Sequence, residues 1–438
     1  MEGRSSLGLI TLDEWKDTLV ALGLLARTPW AVLLFKFQDD LVEYRPRSYY
    51  ERLFTEKGTG SMNMVDYFRE MSHNKLDLSG SKVFGPITLP VDRADYVVSD
   101  TPPGSYNREA MAALCFETAA KDGVELSHYD HAVIVFNTPS DLYGLPGLAV
   151  CDSGNAFPAA VGHEMGHGYG MIHSRREGST EDYQDRWDVM SAMLTDPAPH
   201  PEYLEVGPGL NAANMRAQGW LSEGRVWMGE DEVHGETIEL RPLHRLDLDG
   251  YLAAEVGDFL VEFRLKDRWD AGIGRSCVQV HRFDEGHSYV MLSEQGNYDL
   301  AAGDSFLDAP AVLAPRIELE VVSINESDMV ATIRLSRHPA PVTPELVTEI
   351  ISGIAPGGGG LIFLGGKVVK IGPHLPLIAL IRPLVALLAA AEAGEVGAHP
   401  EAARPALTAL AREALLQLRE LGPPDIPDEG PNLEHFGL

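Results

Sequence analysis

The segment 161–174, VGHEMGHGYGMIHS, constrains this chain more than any other part of its sequence. It contains the spacing H-E-x-x-H-x-x-G-x-x-H, formed by His163, Glu164, His167, Gly170 and His173. Histidines four residues apart lie on one face of a helix, so their two imidazoles can bind the same ion. The segment therefore predicts a helix that carries two metal ligands, with a carboxylate beside them.

The third histidine lies beyond the predicted end of that helix. A glycine adopts positive φ without strain, so Gly170 is predicted to end the helix and to turn His173 toward the other two rings. Three neutral nitrogen ligands with an open fourth position are typical of catalytic zinc. We therefore predict His163, His167 and His173 as zinc ligands, with Glu164 as a general base that moves the proton of a zinc-activated water. The alternative is a helix whose histidines are structural.

A second short motif, DVMS at Asp188–Ser191, follows the histidine segment. Together the two motifs resemble the metzincin clan of zinc endopeptidases, in which a Met-turn lies beneath the metal site. The resemblance implies that Met190 is the Met-turn methionine, whose thioether packs below the histidines without binding the ion. A core methionine at this position is physically almost the same prediction.

Four further segments resemble the immune inhibitor A and gametolysin-like peptidases. They are Tyr67–Gly80, Leu126–Asn137, Gly209–Leu221 and Phe259–Gly274, so the resemblance covers about residues 28–337. It implies a hydrolase of the metalloprotease class, a zinc-dependent endopeptidase acting on protein or peptide substrates. Two alternatives remain open, namely a zinc-containing binding protein and a hydrolase of non-peptide amides.

The resemblance also implies a strand at the sheet edge that pairs antiparallel with the substrate backbone. The candidate segment comprises Gly147, Leu148, Ala149 and Val150, and the alternative is an ordinary core strand. In some metzincins a tyrosine just after the Met-turn reaches the zinc or the oxyanion, but Ala192 and Met193 follow Ser191 here. Tyr203 and Tyr183 are the candidates for that role, against plain packing.

Hydrophobic patterns along the chain predict four parts. Apolar runs and helical spacing predict an α/β or α+β domain that ends near Leu221. The resemblance implies that this is an α+β metzincin-like catalytic domain over 28–222, a twisted mixed sheet plus the active-site helix. Six short alternating runs predict an antiparallel β-sandwich over 223–337. An N-terminal helix is predicted over 1–27. The remaining residues, 338–438, are predicted to form a small, mainly helical C-terminal module of unknown role. Its position alone makes a regulatory or targeting partner the hypothesis for this module.

Composition excludes several classes of protein. The chain has 35 Lys and Arg against 65 Asp and Glu, and its formal net charge of -30 disfavours nucleic acid as a partner. Its 3 cysteines lie far apart, which argues against a thiolate zinc site. Arg382 and Pro383 interrupt the apolar stretch 375–391, so no membrane span is expected. No signal sequence is recognisable, which predicts a cytoplasmic protein; export by a route without an N-terminal mark stays open.

An acidic set follows the histidine segment. Asp182, Asp185 and Asp188 are spaced three residues apart, and carboxylate oxygens are the ligands that Ca²⁺ prefers. The sequence favours a solvated loop over a calcium site at this position.

Overall fold

The structure is a computed structural model that describes residues 26–100, 103–230, 233–308, 316–338, 360–364 and 367–371. The helices are α1 Arg47–Phe54, α2 Met64–Met71, α3 Arg108–Lys121, α4 Pro158–Gly168 and α5 Ala212–Ala217. Short 3-10 helices span Glu56–Gly58, Arg93–Tyr96, Val189–Leu194, Glu223–Arg225 and Arg268–Asp270.

The strands of the first half of the chain are β1 Ala26–Arg27, β2 Trp30–Lys36, β3 Leu76–Asp77, β4 Lys82–Thr88, β5 Val97–Asp100, β6 Pro103–Tyr106, β7 His131–Phe136, β8 Tyr143–Leu145, β9 Leu148–Asp152, β10 Arg175–Arg176, β11 Ala198–His200 and β12 Leu204–Val206. Those of the second half are β13 Val226–Met228, β14 Val233–Leu240, β15 Ala253–Val256, β16 Phe259–Arg264, β17 Cys277–Asp284, β18 His287–Val290, β19 Ser305–Asp308, β20 Arg316–Asn325, β21 Val330–His338, β22 Gly360–Leu364 and β23 Lys367–Ile371.

A five-stranded sheet carries the histidine helix. Its strand order is β4-β2-β7-β9-β8; β2 pairs parallel with β4 and β7, and β7 pairs parallel with β9. Successive side chains of a strand face opposite sides, and both sides are buried here. Val32, Val133 and Cys151 face one core, while Leu33, Ile134 and Val150 face another. Buried apolar runs in β2, β7 and β9 thus form a sheet covered on both faces.

Helices cover the two faces of this sheet. Apolar residues of α1, α2 and α4 belong to the first core, and those of α3 belong to the second. Asn63 and Asn107 begin α2 and α3, because each side chain accepts a hydrogen bond from a backbone amide in the first turn. The mixed sheet with its helices confirms the coarse α+β prediction.

The edge strand differs from the prediction. We predicted that Gly147, Leu148, Ala149 and Val150 would form the edge, but β9 lies between β7 and β8. The edge strand is β8, which pairs antiparallel with β9. Because β9 uses both of its hydrogen-bonding sides within the sheet, it cannot accept a substrate strand.

A six-stranded sheet has the order β10-β18-β17-β16-β15-β13. Strands β15 to β18 pair antiparallel as predicted, whereas β10 and β13 pair parallel with β18 and β15. The prediction of an antiparallel sandwich over 223–337 is therefore wrong for β13, and β10 precedes the predicted range. A separate four-stranded sheet has the order β14-β21-β20-β19.

The chain divides into two compact units, Met1–Leu307 with Glu318–Ser336, and Asp308–Ile317 with Arg337–Leu438. Within the first unit, one core contains Met165 and Met190 together with Leu260 and Trp269. The predicted boundary at residue 222 thus lies inside a shared core.

The terminal predictions fall mostly on residues outside the described ranges. Of the predicted helix 1–27 only Ala26 and Arg27 are described, and they form β1, which pairs with β3. Of the C-terminal module, the described residues after His338 form β22 and β23, an antiparallel pair. Among the described residues, no helix has both the length and the apolar character needed to cross a bilayer.

Candidate metal centre

Helix α4 follows directly from the central sheet. Strand β9 ends at Asp152, and the helix begins at Pro158, whose fixed φ suits the first helical position. The helix ends at Gly168, and Gly170 has a φ of 87°, as the sequence predicted. This turn leads the chain away from the helix axis before it reaches His173.

The structure brings the three predicted histidines together. One nitrogen from each of His163, His167 and His173 lies within 4.8 Å of the others. His163 is buried, and the other two are partly exposed. The ring centres of the three histidines are separated by 4.6, 4.9 and 5.4 Å.

Hydrogen bonds to backbone carbonyl groups fix the tautomers of the two helical histidines. The Nδ1 of His163 lies 2.8 Å from the carbonyl oxygen of Val189, and that of His167 lies 2.7 Å from the carbonyl oxygen of Met171. A carbonyl oxygen only accepts, so both rings carry their proton on Nδ1. Burial, followed by the neighbouring His167, lowers the pKa of His163 to about 3, so its ring is neutral.

The third ring is oriented by an ion pair. His173 donates from Nδ1 to Asp182 over 2.9 Å, and Arg175 donates to the other oxygen of the same carboxylate over 2.8 Å. Burial alone would raise the pKa of Asp182, but the hydrogen bonds from these two residues hold it below its ordinary value. Asp182 is therefore a charged acceptor that orients the His173 ring through Nδ1 and leaves Nε2 as the ring nitrogen available to an ion.

This donor set fits a zinc ion. The Nε2 atoms of His163 and His167 lie 3.0 Å apart, and with both protons on Nδ1 their lone pairs face each other. Such a pair repels unless a cation lies between the nitrogens. Nitrogens bound tetrahedrally at zinc are about 3.4 Å apart, close to the separation found here. The cluster of His163, His167 and His173 can therefore hold a metal ion such as zinc.

Glu164 lies beside the cluster and is itself buried. It is 7% exposed, and no described side chain forms a hydrogen bond with its carboxylate. Burial raises the pKa of Glu164 to about 8; the charge of Asp141 adds to the rise, and Arg108 opposes it. A carboxylate in this setting can bind and release a proton near neutral pH.

Glu164 is expected to make the metal-free protein less stable as the pH rises. Its pKa is about 8 in the folded chain against a usual value of 4.5, so its stabilising effect is complete below pH 4.5 and is lost as the pH rises through 8. At about 1.4 kcal/mol per unit of pKa, the loss amounts to several kcal/mol. Chemical unfolding with a chelator, between pH 4 and 9, is the measurement.

The control for this titration is Glu164→Gln, which keeps the shape of the side chain and cannot ionise. We expect the two proteins to be closest in stability at low pH and the variant to become progressively more stable toward pH 8. Parallel curves over the whole range would mean that Glu164 titrates as an exposed carboxylate.

Met190 lies under the histidine helix. It is fully buried, and its sulphur lies 2.5 Å from where a Cβ on Gly166 would be. Its neighbour Val189 supplies the carbonyl that orients His163. A glycine at position 166 thus allows this close approach of the methionine to the helix.

The two tyrosine candidates differ in position. The ring centre of Tyr183 lies 4.2 Å from that of His173 and 6.1 Å from that of His163. Tyr203 is fully buried, and its hydroxyl bonds the carbonyl oxygen of Arg52 and the hydroxyl of Ser61. The hydroxyl of Tyr203 is therefore used in hydrogen bonds within the core, and Tyr183 is the candidate that lies beside the histidines.

The three acidic residues do not form a calcium site. The carboxylates of Asp182 and Asp185 accept hydrogen bonds from the rings of His173 and His281. Asp188 accepts hydrogen bonds from the backbone amides of Met190 and Asn211. Asp185 and Asp188 are fully buried, so the favoured alternative, a solvated loop, is wrong for both. Their roles lie in hydrogen bonds to groups distant in sequence, which a three-residue spacing does not reveal.

No protein-family model matches the chain, and no curated protein matches its sequence. The resemblance to the immune inhibitor A and gametolysin-like peptidases therefore stays a prediction. Among solved structures, the chain is similar to wild-type OgpA from Akkermansia muciniphila, with 11% identity over 71% of this chain and 93% of that chain and a TM-score of 0.30. A second crystal form gives 12% identity over 71% and 94% of the two chains and a TM-score of 0.29.

Catalytically inactive OgpA in complex with an O-glycopeptide substrate, glycodrosocin, gives 11% identity over 71% of this chain and 94% of that chain, with a TM-score of 0.29. These values describe a remote likeness and transfer no activity to this chain.

Proposed function

We propose that this chain is a zinc-dependent endopeptidase. The observation that carries the proposal is the convergence of three histidines whose Nδ1 atoms each face an oxygen acceptor outside the cluster, beside a buried carboxylate without a hydrogen-bond partner among the described residues. A purely structural metal site has no need of such a carboxylate, which favours an enzyme over a binding protein that keeps the ion as a relic.

In this proposal His163, His167 and His173 hold the ion, and Met190 packs beneath them. Zinc held by three neutral ligands would lower the pKa of a water molecule and polarise a carbonyl group. Glu164 takes a proton from the attacking water and passes it to the leaving amine. The raised pKa of Glu164 supports the second of these transfers, and a nearby divalent cation would lower that pKa enough for the first.

Strand β8 is the proposed docking edge for the substrate backbone. It is the outer strand of the five-stranded sheet, and a Cβ on Gly144 would lie 2.4 Å from the carbonyl oxygen of Glu164 and 2.5 Å from the Cβ of His167. A peptide that pairs with β8 would therefore run beside the metal ligands. Main-chain pairing of this kind favours extended polypeptides over small amides.

Tyr183 is the proposed group for the developing oxyanion. Its ring lies closest to His173, and it is partly exposed. A phenol can donate a hydrogen bond to an anionic oxygen, and burial, followed by the charges of Asp182 and Glu164, raises the pKa of Tyr183 so that its proton is retained.

The experiment has two readouts on the full chain. Metal analysis after zinc loading is expected to give one ion per chain, and casein is expected to be cleaved until a chelator is added. Mass-spectrometric mapping of the cut bonds in a proteome digest then separates an endopeptidase from a hydrolase of other amides. Zinc binding without chelator-sensitive cleavage would contradict the peptidase, and absence of zinc binding would contradict the whole proposal.

A further inference from the structure

Strand β18 contacts the segment of the third histidine residue by residue. The Nδ1 of His287 donates to the carbonyl oxygen of His173 over 2.7 Å, and the hydroxyl of Ser288 donates to that of Ser174 over 3.1 Å. The next two residues of β18 pair in parallel register with β10, Tyr289 with Arg175 and Val290 with Arg176. Four consecutive positions of one strand thus hold the four residues that begin at His173.

This attachment differs from that of the other two ligands. His163 and His167 belong to α4, so the hydrogen bonds of the helix fix their backbone. His173 lies between the end of that helix and β10, in a stretch without regular structure. Fixing such a backbone costs conformational entropy, which contacts from elsewhere must offset.

The side-chain contacts of the third ligand depend on the same strand. Asp182, which accepts the Nδ1 proton of His173, also accepts from Arg175 in β10. Arg175 in turn lies 3.5 Å from the hydroxyl of Tyr289. Strand β10 has only two residues, and its described partner strand in the six-stranded sheet is β18.

We infer that β18 positions the third zinc ligand, and that His287 is the residue through which it acts most directly. The inference rests on the proposed zinc centre. The six-stranded sheet would then help to position a metal ligand, although all three ligands lie before residue 223, where the second predicted domain begins. His287 is a positioning residue, because it contacts the backbone of His173 and not the ion.

The test compares zinc affinity among variants of the full chain, measured by competition with a chelator of known affinity. His287→Ala removes the hydrogen bond to His173 and is expected to weaken zinc binding about 10–100-fold. His287→Asn restores a donor on a shorter side chain and is expected to recover part of the loss. His128→Ala, at an exposed histidine before β7, is the matched control and should bind zinc as the unaltered chain does.

Cobalt gives a second readout, since its visible absorption reports the number and geometry of nitrogen ligands. The Co²⁺ spectrum of His287→Ala is expected to lose intensity or shift, while that of His128→Ala stays unchanged. An unaltered spectrum and affinity in His287→Ala would overturn the inference and leave the zinc peptidase standing. Failure of the unaltered chain to bind zinc would overturn the proposed function itself.

Hydrogen exchange of the unaltered chain keeps the inference testable if His287→Ala does not fold. The amide of Glu177 donates to the carbonyl oxygen of Val290 over 2.9 Å, so it reports the pairing of β10 with β18. Zinc is expected to slow its exchange, because binding at His173 and pairing with β18 stabilise each other. If zinc slows amide exchange only in α4 and in the 3-10 helix Val189–Leu194, the inference is contradicted.

Discussion

Replacing Glu164 by Gln is expected to lower kcat for peptide cleavage by about 10²–10⁴-fold while zinc stays bound. The amide fills the same space but cannot accept the proton of the attacking water or return it to the leaving amine. The three ligands and their hydrogen bonds to Val189, Met171 and Asp182 are untouched. The measurement is the rate of casein or peptide cleavage, with zinc content determined on the same preparation.

The matched control is Glu181→Gln, which makes the same change of charge at an exposed glutamate. Its activity and zinc content are expected to equal those of the unaltered chain. A Glu164→Gln protein that retains full activity would show that proton transfer does not pass through this side chain. A protein that loses zinc as well would show that Glu164 supports the ligands, and the base would then have to be sought elsewhere.

The part of the site that local sequence encodes could be predicted. His163 and His167 share one face of α4 because four residues make about one helical turn, and Gly170 ends the helix because it adopts positive φ. Apolar runs likewise predicted β2, β4 and β7, and short alternating runs predicted six strands after residue 223. These features depend on neighbours within about a dozen residues, which a single sequence displays directly.

The part that depends on pairing between distant segments could not be predicted. Strand β8 has three residues, and its place at the sheet edge follows from hydrogen bonds to β9 that leave no periodic pattern. The attachment of His173 to His287 joins residues 114 positions apart. The sequence offers Asp182 only as a calcium ligand or part of a solvated loop, because no periodic pattern links it to His173, nine positions earlier.

Nothing in the sequence indicated a buried ion network around Arg264. Arg264, in β16, has a fully buried side chain that donates two hydrogen bonds to Asp270, over 2.8 and 2.5 Å, and one to Glu262 over 3.1 Å. It also donates to the carbonyl oxygen of Trp187 over 2.7 Å. Glu262 in turn accepts from the amide of Ala212, at the start of α5. Charges within a strand ordinarily predict an exposed face, so the alternation of β16 gave no sign of this network.

Replacing Arg264 by Met is expected to destabilise the folded chain by about 3–5 kcal/mol, since it removes the buried guanidinium that pairs with Asp270 and Glu262. Burial by itself would raise the pKa of Asp270, and Arg264 is the main group that holds it below its ordinary value. Loss of the guanidinium also leaves the carbonyl oxygen of Trp187 without its donor. Urea unfolding at neutral pH is the measurement.

Arg334→Met is the control, because Arg334 makes one ion pair with Glu320 over 2.7 Å and both side chains are about half exposed. An exposed pair contributes about 0–1 kcal/mol, so this variant should unfold almost as the unaltered chain does. Adding Asp270→Asn to Arg264→Met is expected to recover part of the lost stability, since the isolated charge is removed. Equal losses in Arg264→Met and Arg334→Met would mean that water reaches the network and replaces its ion pairs.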